Sequence, residues 1–102
     1  MVNFTDFKAS VSNATPPAGV SPALLALWWA AKQNWEKAHG IAQEEKTADG
    51  SWVHAYLHRV EGDLGNAGYW YNRAGKPSAS VPLDAEWDQI VSALLNKVKA
   101  AP

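Results

Sequence analysis

The apolar positions of this chain recur three and four residues apart, the spacing of one face of an α-helix, and no segment alternates with a period of two. Phe4, Phe7 and Val11 follow that spacing, and Asn3 ahead of them can accept a first-turn N–H, so a short helix is predicted over about 4–11. The stretch Asn13 to Val20 contains Pro16, Pro17 and Gly19, which restrict the backbone and remove donors, and it reads as a linker. Ser21-Pro22 is a helix start, with serine as the cap and proline where a missing N–H costs nothing; a second helix is predicted over Pro22 to Lys32. Asn34 can cap a third helix running from Trp35 to about Lys46. Asp49-Gly50-Ser51 reads as a break, followed by a fourth helix from Trp52 to Glu61.

Gly62-Asp63 forms the next turn, and a fifth helix from Leu64 to Ala74 ends at Gly75 in the left-handed conformation. Gly65 and Gly68 each weaken that helix by about 1 kcal/mol relative to alanine, so tertiary packing has to hold it. After the loop from Gly75 to Leu83, Asp84 is placed to cap a last helix. Its residues Trp87, Ile90, Val91, Leu94 and Val98 form the clearest apolar stripe of the chain, and Lys97 and Lys99 suit its C-terminal dipole. The pattern predicts an all-α protein of about six helices in a single domain, 1–102. An N-terminal helix and linker cover 3–20, a first hairpin 21–48, a second hairpin 49–76 and a C-terminal capping helix 83–100.

Composition narrows the function more than the fold. With 102 residues and 47% hydrophobic content the chain suits one modest core, and a net charge of −1 supplies no field to attract nucleic acid or an anionic membrane. The absence of cysteine excludes disulfides and thiolate chemistry. The longest apolar run, Ala23 to Ala31, is too short to span a bilayer, and residues 1–10 carry Asp6 and Lys8 with no secretory apolar core. A cytoplasmic location without membrane or nucleic-acid partners is therefore expected.

Laid against itself at an offset of 29, the chain pairs Ala26 with Ala55, Trp29 with His58, Asn34 with Asp63, Trp35 with Leu64 and Ala38 with Ala67. Such self-similarity is the trace left by stacked helical hairpins. The second copy, Ala55-x2-His58-x3-Gly62-Asp63-Leu64-x2-Ala67-x3-Tyr71-x2-Ala74, resembles the tetratricopeptide-type repeat, and Ala26, Trp29, Asn34-Trp35, Ala38 and Ala42 match it more loosely. The likeness covers Ala23 to Pro77. It departs from the family in its offset, where about 34 is usual, in Gln33 at the place of the turn glycine, and in histidines at normally aliphatic or aromatic positions. The Gly-Asp-Leu-x2-Ala and Tyr-Trp-Tyr runs are also similar to small bacterial proteins of unassigned function. The resemblance implies hairpins stacked as in a right-handed superhelix and a non-enzymatic role, without cofactor, in binding a peptide, a protein partner or a second copy.

The candidate chemistry lies in the second hairpin. At about 100° per residue, His54, His58 and Glu61 line one stripe beside the apolar stripe of Val53, Tyr56, Leu57 and Val60. Imidazoles at i and i+4 can share a metal, and Glu61, Asp63 or His39 could be the third ligand, leaving a coordinated water as the reactive group. The run is not a zincin motif, because Ala55 stands where that chemistry needs its glutamate. Against a metal, the first copy holds Leu25, Trp29 and Lys32 at the corresponding places, which predicts boundary packing with ring nitrogens satisfied by backbone, Asp63, Asn66 or a tyrosine hydroxyl.

Of the six tryptophans, Trp28, Trp35, Trp52 and Trp87 are expected in the core, and Trp29 and Trp70 at a surface or groove. Asn66, Tyr69, Trp70 and Arg73 share one side of the fifth helix, where they could hold a carboxylate or peptide or pack against the C-terminal helix. Two functions stay open: a helical-repeat interaction module, and a metal- or small-ligand-binding protein, hydrolytic in its furthest form, built on His54, His58 and Glu61.

Overall fold

A computed structural model describes residues 2–100, with side chains over 2–97. The fold is all-α, with no strand among the described residues and six helices: α1 (Phe4–Ser10), α2 (Pro22–Ala31), α3 (Trp35–Glu44), α4 (Ala48–Val60), α5 (Leu64–Ala74) and α6 (Leu83–Ala100). No described helix is long and apolar enough to cross a membrane.

The local capping chemistry acts at Asn3, Ser21 and Asn34, where the sequence places it, and at Asp63 in addition. Side-chain oxygens of Asn3, Ser21, Asn34 and Asp63 accept from the backbone N–H groups of Asp6, Leu24, Lys37 and Asn66, three residues on. Gly75 ends α5 at φ +71°. The α2–α3 and α4–α5 turns are built alike. Gln33 at φ +62° and Gly62 at φ +84° occupy the left-handed position, and Asn34 N–H to Trp29 O matches Asp63 N–H to His58 O.

Two boundaries differ from the sequence expectation. Asp49-Gly50-Ser51 is not a break but lies within α4, because Thr47 caps the helix by accepting from Gly50 N–H at 3.1 Å. Gly50 fits there for a steric reason: a Cβ would stand 2.1 Å from the carbonyl oxygen of Glu45. At α6 the helix begins at Leu83, one residue before the expected cap. Glu86 N–H bonds to Pro82 O, and Asp84 sits in the first turn with its own side chain on Ala85 N–H.

Helix α4 is the hub, packing against α2, α3, α5 and α6, while α1 lies on α6 and the backbone of α5 runs close to that of α4. The main core gathers Phe7, Leu24, Leu27, Trp28, Val53, Leu57, Ile90 and Val91, all at most 1% exposed. A smaller cluster of Ala55, Ala67 and Tyr71 closes the α4–α5 hairpin. The α6 stripe is buried at Trp87, Ile90, Val91 and Leu94; the side chains of Val98 and Lys99 lie outside the described residues. Of the expected core tryptophans, Trp28 and Trp87 are buried, whereas Trp35 and Trp52 are partly exposed at its margin, like Trp29 and Trp70.

Three indole N–H groups cross-link the bundle. Trp28 donates to Ser10 Oγ at 3.0 Å, Trp87 to Leu27 O at 2.8 Å and Trp35 to Leu57 O at 2.7 Å. Each satisfies its polar atom while burying the ring. One more tie is a buried carboxylate. Glu86, 2% exposed, accepts from Arg59 at 2.8 Å and from the Tyr71 hydroxyl, and Arg59 also donates to Val81 O. That network joins α4, α5, α6 and the loop before α6, and the alternation of polar and apolar positions gave no sign of it.

Candidate metal centre

The three histidines of the chain converge. Trp35, pinned to the end of α4 through its indole bond to Leu57 O, sets the face of α3 that meets α4, and His39 follows one turn later on that face. His54 and His58, one turn apart on α4, face it. Nε2 of His54 lies 2.9 Å from Nε2 of His39, and one ring nitrogen of each histidine lies within 4.8 Å of one from each of the others. Ring centroids are separated by 4.6 Å for His39–His54, 4.8 Å for His54–His58 and 5.2 Å for His39–His58.

Two indoles close the cluster. Trp35 stacks on His39 at 4.6 Å with planes 12° apart, and Trp70 on His54 at 3.9 Å with planes 17° apart. His54 and His58 are 5% and 6% exposed, and His39 is partly open to solvent. Burial lowers the pKa of His54 to about 4, aided by His39, His58 and Lys46. Burial and then His58 also lower that of His39, with Glu61 pulling the other way. Both rings are therefore neutral near pH 7, the state that offers a lone pair to a metal.

Each expected residue now has a place. Glu61 is not beside His54 but holds His58, its carboxylate 2.7 Å from Nδ1, which leaves Nε2 of His58 free to face the cluster. This is the carboxylate–histidine arrangement that orients metal-ligating imidazoles. Asp63 caps α5 and Asn66 bonds back to it, so neither satisfies a histidine, and the hydroxyls of the tyrosines are engaged elsewhere or exposed. The boundary-packing expectation gave the ring nitrogens to backbone, Asp63, Asn66 or a tyrosine hydroxyl; instead the imidazoles meet one another and Glu61.

The side of α5 carrying Asn66, Tyr69, Trp70 and Arg73 is divided. Trp70 turns inward on His54, while Tyr69, Arg73 and Asn66 stay exposed, with the Arg73 guanidinium 5.4 Å from the Trp70 ring centre. None of this side packs on α6; only Tyr71 bridges to it, through Glu86. His39 was the member hardest to place from sequence, since its meeting with α4 depends on how two helices cross. The stacking of Trp35 four residues before it was the one local signal, at the spacing that puts two rings on one helical face. A second acidic grouping, His58 with Glu61 and Asp63, also falls within 4.8 Å, but its two carboxylates are exposed and Asp63 is committed to its cap. No protein-family model, curated protein or solved structure matches the chain.

Proposed function

We propose that this protein binds a divalent transition metal such as Zn²⁺ through His39, His54 and His58, on a scaffold of two tetratricopeptide-type hairpins. The observation that carries the reading is the convergence of all three imidazoles, from two helices, with Glu61 fixing His58 from outside. Nitrogens on a tetrahedral zinc stand about 3.3 Å apart at Zn–N of about 2.0 Å. The His39–His54 pair, at 2.9 Å, reaches that spacing by parting a few tenths of an ångström. Imidazole is a good ligand for zinc, nickel and copper, and three of them leave a fourth position for water or a bound molecule.

Calorimetric titration of the metal-stripped protein with Zn²⁺ tests this, with elemental analysis after dialysis. One equivalent per chain is expected. His39→Ala, the mildest truncation because that ring is partly exposed, should abolish the site while circular dichroism stays that of the parent. Glu61→Gln should weaken it by roughly 10- to 100-fold. Absence of saturable binding, or binding unchanged in folded His39→Ala, refutes the proposal.

A second reading, the interaction module, is supported by Val60, Leu64 and Tyr69, large apolar side chains left in solvent near the α4–α5 turn. A sedimentation-detected self-association that Leu64→Lys abolishes would favour it; a monomer at all concentrations, with no captured partner, would remove it.

A further inference from the structure

A cleft of about 220 Å³ opens beside the imidazole cluster, between the end of α3, the start of α4 and α5. Its walls include His54, Trp70 and Ser51, and Lys46 and Arg73 line it too. Glu45 is the single acid in the lining, so the cleft carries a net positive charge. Among the described residues neither Lys46 nor Arg73 has a carboxylate within ion-pair distance, whereas Lys8, Arg59 and Lys97 each have one. Lys46 donates only to Gln43 O at 3.2 Å, and Arg73 only to the Tyr69 hydroxyl at 3.3 Å.

We infer that this cleft binds a small organic acid, its carboxylate held by Lys46 and Arg73 and its carbon skeleton laid against Trp70. Charge sets the first half of the assignment. Two cations, Arg73 on α5 and Lys46 in the segment between α3 and α4, line one concavity with donors to spare, and guanidinium takes a carboxylate in bidentate fashion. Size sets the second. The cleft, at about 220 Å³, lies below the roughly 300–1,000 Å³ of pockets for drug-sized ligands, which suits a small acid and not a nucleotide. Trp70 sets the third. Stacked on His54 at 3.9 Å, its ring is a fixed apolar wall, and the Ser51 side chain lines the same cleft.

The inference goes beyond metal binding and stands on its own residues, His54 being the one shared wall. The metal-stripped protein is therefore the material for its test. Backbone and indole N–H signals are followed by NMR as succinate is added, with sodium chloride at matched ionic strength as the control and sulfate as an anion without a carbon skeleton. Saturable shifts of the Trp70 indole and of residues 46, 51 and 73 are expected with succinate and not with chloride. Lys46→Met and Arg73→Met should each weaken succinate binding at least tenfold, and Arg73→Met should leave the zinc titration unchanged. His39→Ala should do the reverse, losing zinc and keeping succinate, so either proposal can fail while the other stands. No saturable shift, unchanged succinate binding in both cation variants, or sulfate binding as tightly as succinate overturns the organic-acid assignment.

Discussion

Replacement of Arg59 by methionine isolates what holds α6 and its preceding loop to the hairpins. In the parent, Glu86 is 2% exposed, with Arg59 at 2.8 Å on one oxygen and the Tyr71 hydroxyl on the other. Tyr71 stays protonated well past its ordinary range, because burial and the bond to Glu86 both raise its pKa, and so it remains a donor. Arg59→Met keeps the aliphatic stem but leaves a buried carboxylate with one neutral partner, and frees the Val81 carbonyl. Breaking a buried pair on one side costs about 3–5 kcal/mol. For a domain of this size each kcal/mol moves Tm by about 4–8 °C, so a fall of at least roughly 12 °C is expected. Arg59→Met combined with Glu86→Leu removes both charges and should recover most of that loss, since it is the unpaired charge, not the missing attraction, that is costly. Urea denaturation followed by tryptophan fluorescence and by far-ultraviolet circular dichroism gives the free energies. Arg59→Met melting within 3 °C of the parent, or a double variant less stable than the single one, would refute the reasoning.

Three further outcomes follow from the structure. Without added metal, stability should be full above pH 6.5 and should decline as pH falls toward about 4. Below its unfolded pKa of 6.5 the unfolded His54 gains a proton that the folded one, with its pKa lowered to about 4, refuses. The full separation corresponds to at most about 3 kcal/mol, and solvent at the open edge of the cluster reduces it to about 2 kcal/mol; His54→Phe, which removes the titrating group, should flatten this segment of a pH–Tm curve, and an unchanged slope would count against it. Gly50→Ala should destabilise by about 1–3 kcal/mol, because its Cβ would stand 2.1 Å from a backbone oxygen that cannot rotate away; equal urea midpoints would show the start of α4 to be misplaced. Gln33→Gly should raise stability by about 0.5 kcal/mol, the relief of a left-handed backbone outweighing the added freedom of the unfolded chain, and a lowered Tm would argue against φ +62° there.

What could be read from the sequence was whatever a few neighbouring residues decide. The caps at Asn3, Ser21 and Asn34 depend on side chains that reach their own helix end, the stop at Gly75 on a left-handed backbone, and all four act as expected; Asp63, read only as part of a turn, caps α5 as well. The start of α4 escaped because Asp49-Gly50-Ser51 has turn chemistry, and only the approach of the Glu45 carbonyl explains why a glycine sits inside a helix there. Glu86 escaped for a like reason. An acid in the first turn of an amphipathic helix is ordinary dipole chemistry, and its burial depends on Arg59, 27 residues away. His54 and His58 were paired by their spacing alone, whereas His39 joins them through a helix crossing set by the Trp35–Leu57 bond.

The way polar groups are matched in this molecule bears on why the imidazoles should have a ligand. Elsewhere unlike groups meet: a carboxylate faces a guanidinium and a phenol, and indole N–H groups face a hydroxyl or carbonyl oxygens. At His39, His54 and His58 like meets like. The neutral rings of His39 and His54 bring two N–H donors and two lone pairs, while His58 meets Glu61 through Nδ1. One N–H joins the Nε2 atoms of His39 and His54, so one lone pair and one N–H of these two rings find no protein partner within the cluster. Protonation cannot use that lone pair without placing a cation beside the other imidazoles, which is the repulsion that helps hold the His54 pKa near 4. A divalent metal can. It would exchange that imidazole–imidazole hydrogen bond for coordination by His39, His54 and His58 and would leave the Glu61 contact in place. At the offset of 29 the places of His54 and His58 are held by Leu25 and Trp29 on α2, side chains that can pack but not coordinate, so on this reading it is coordination that would set the three imidazoles apart from ordinary packing.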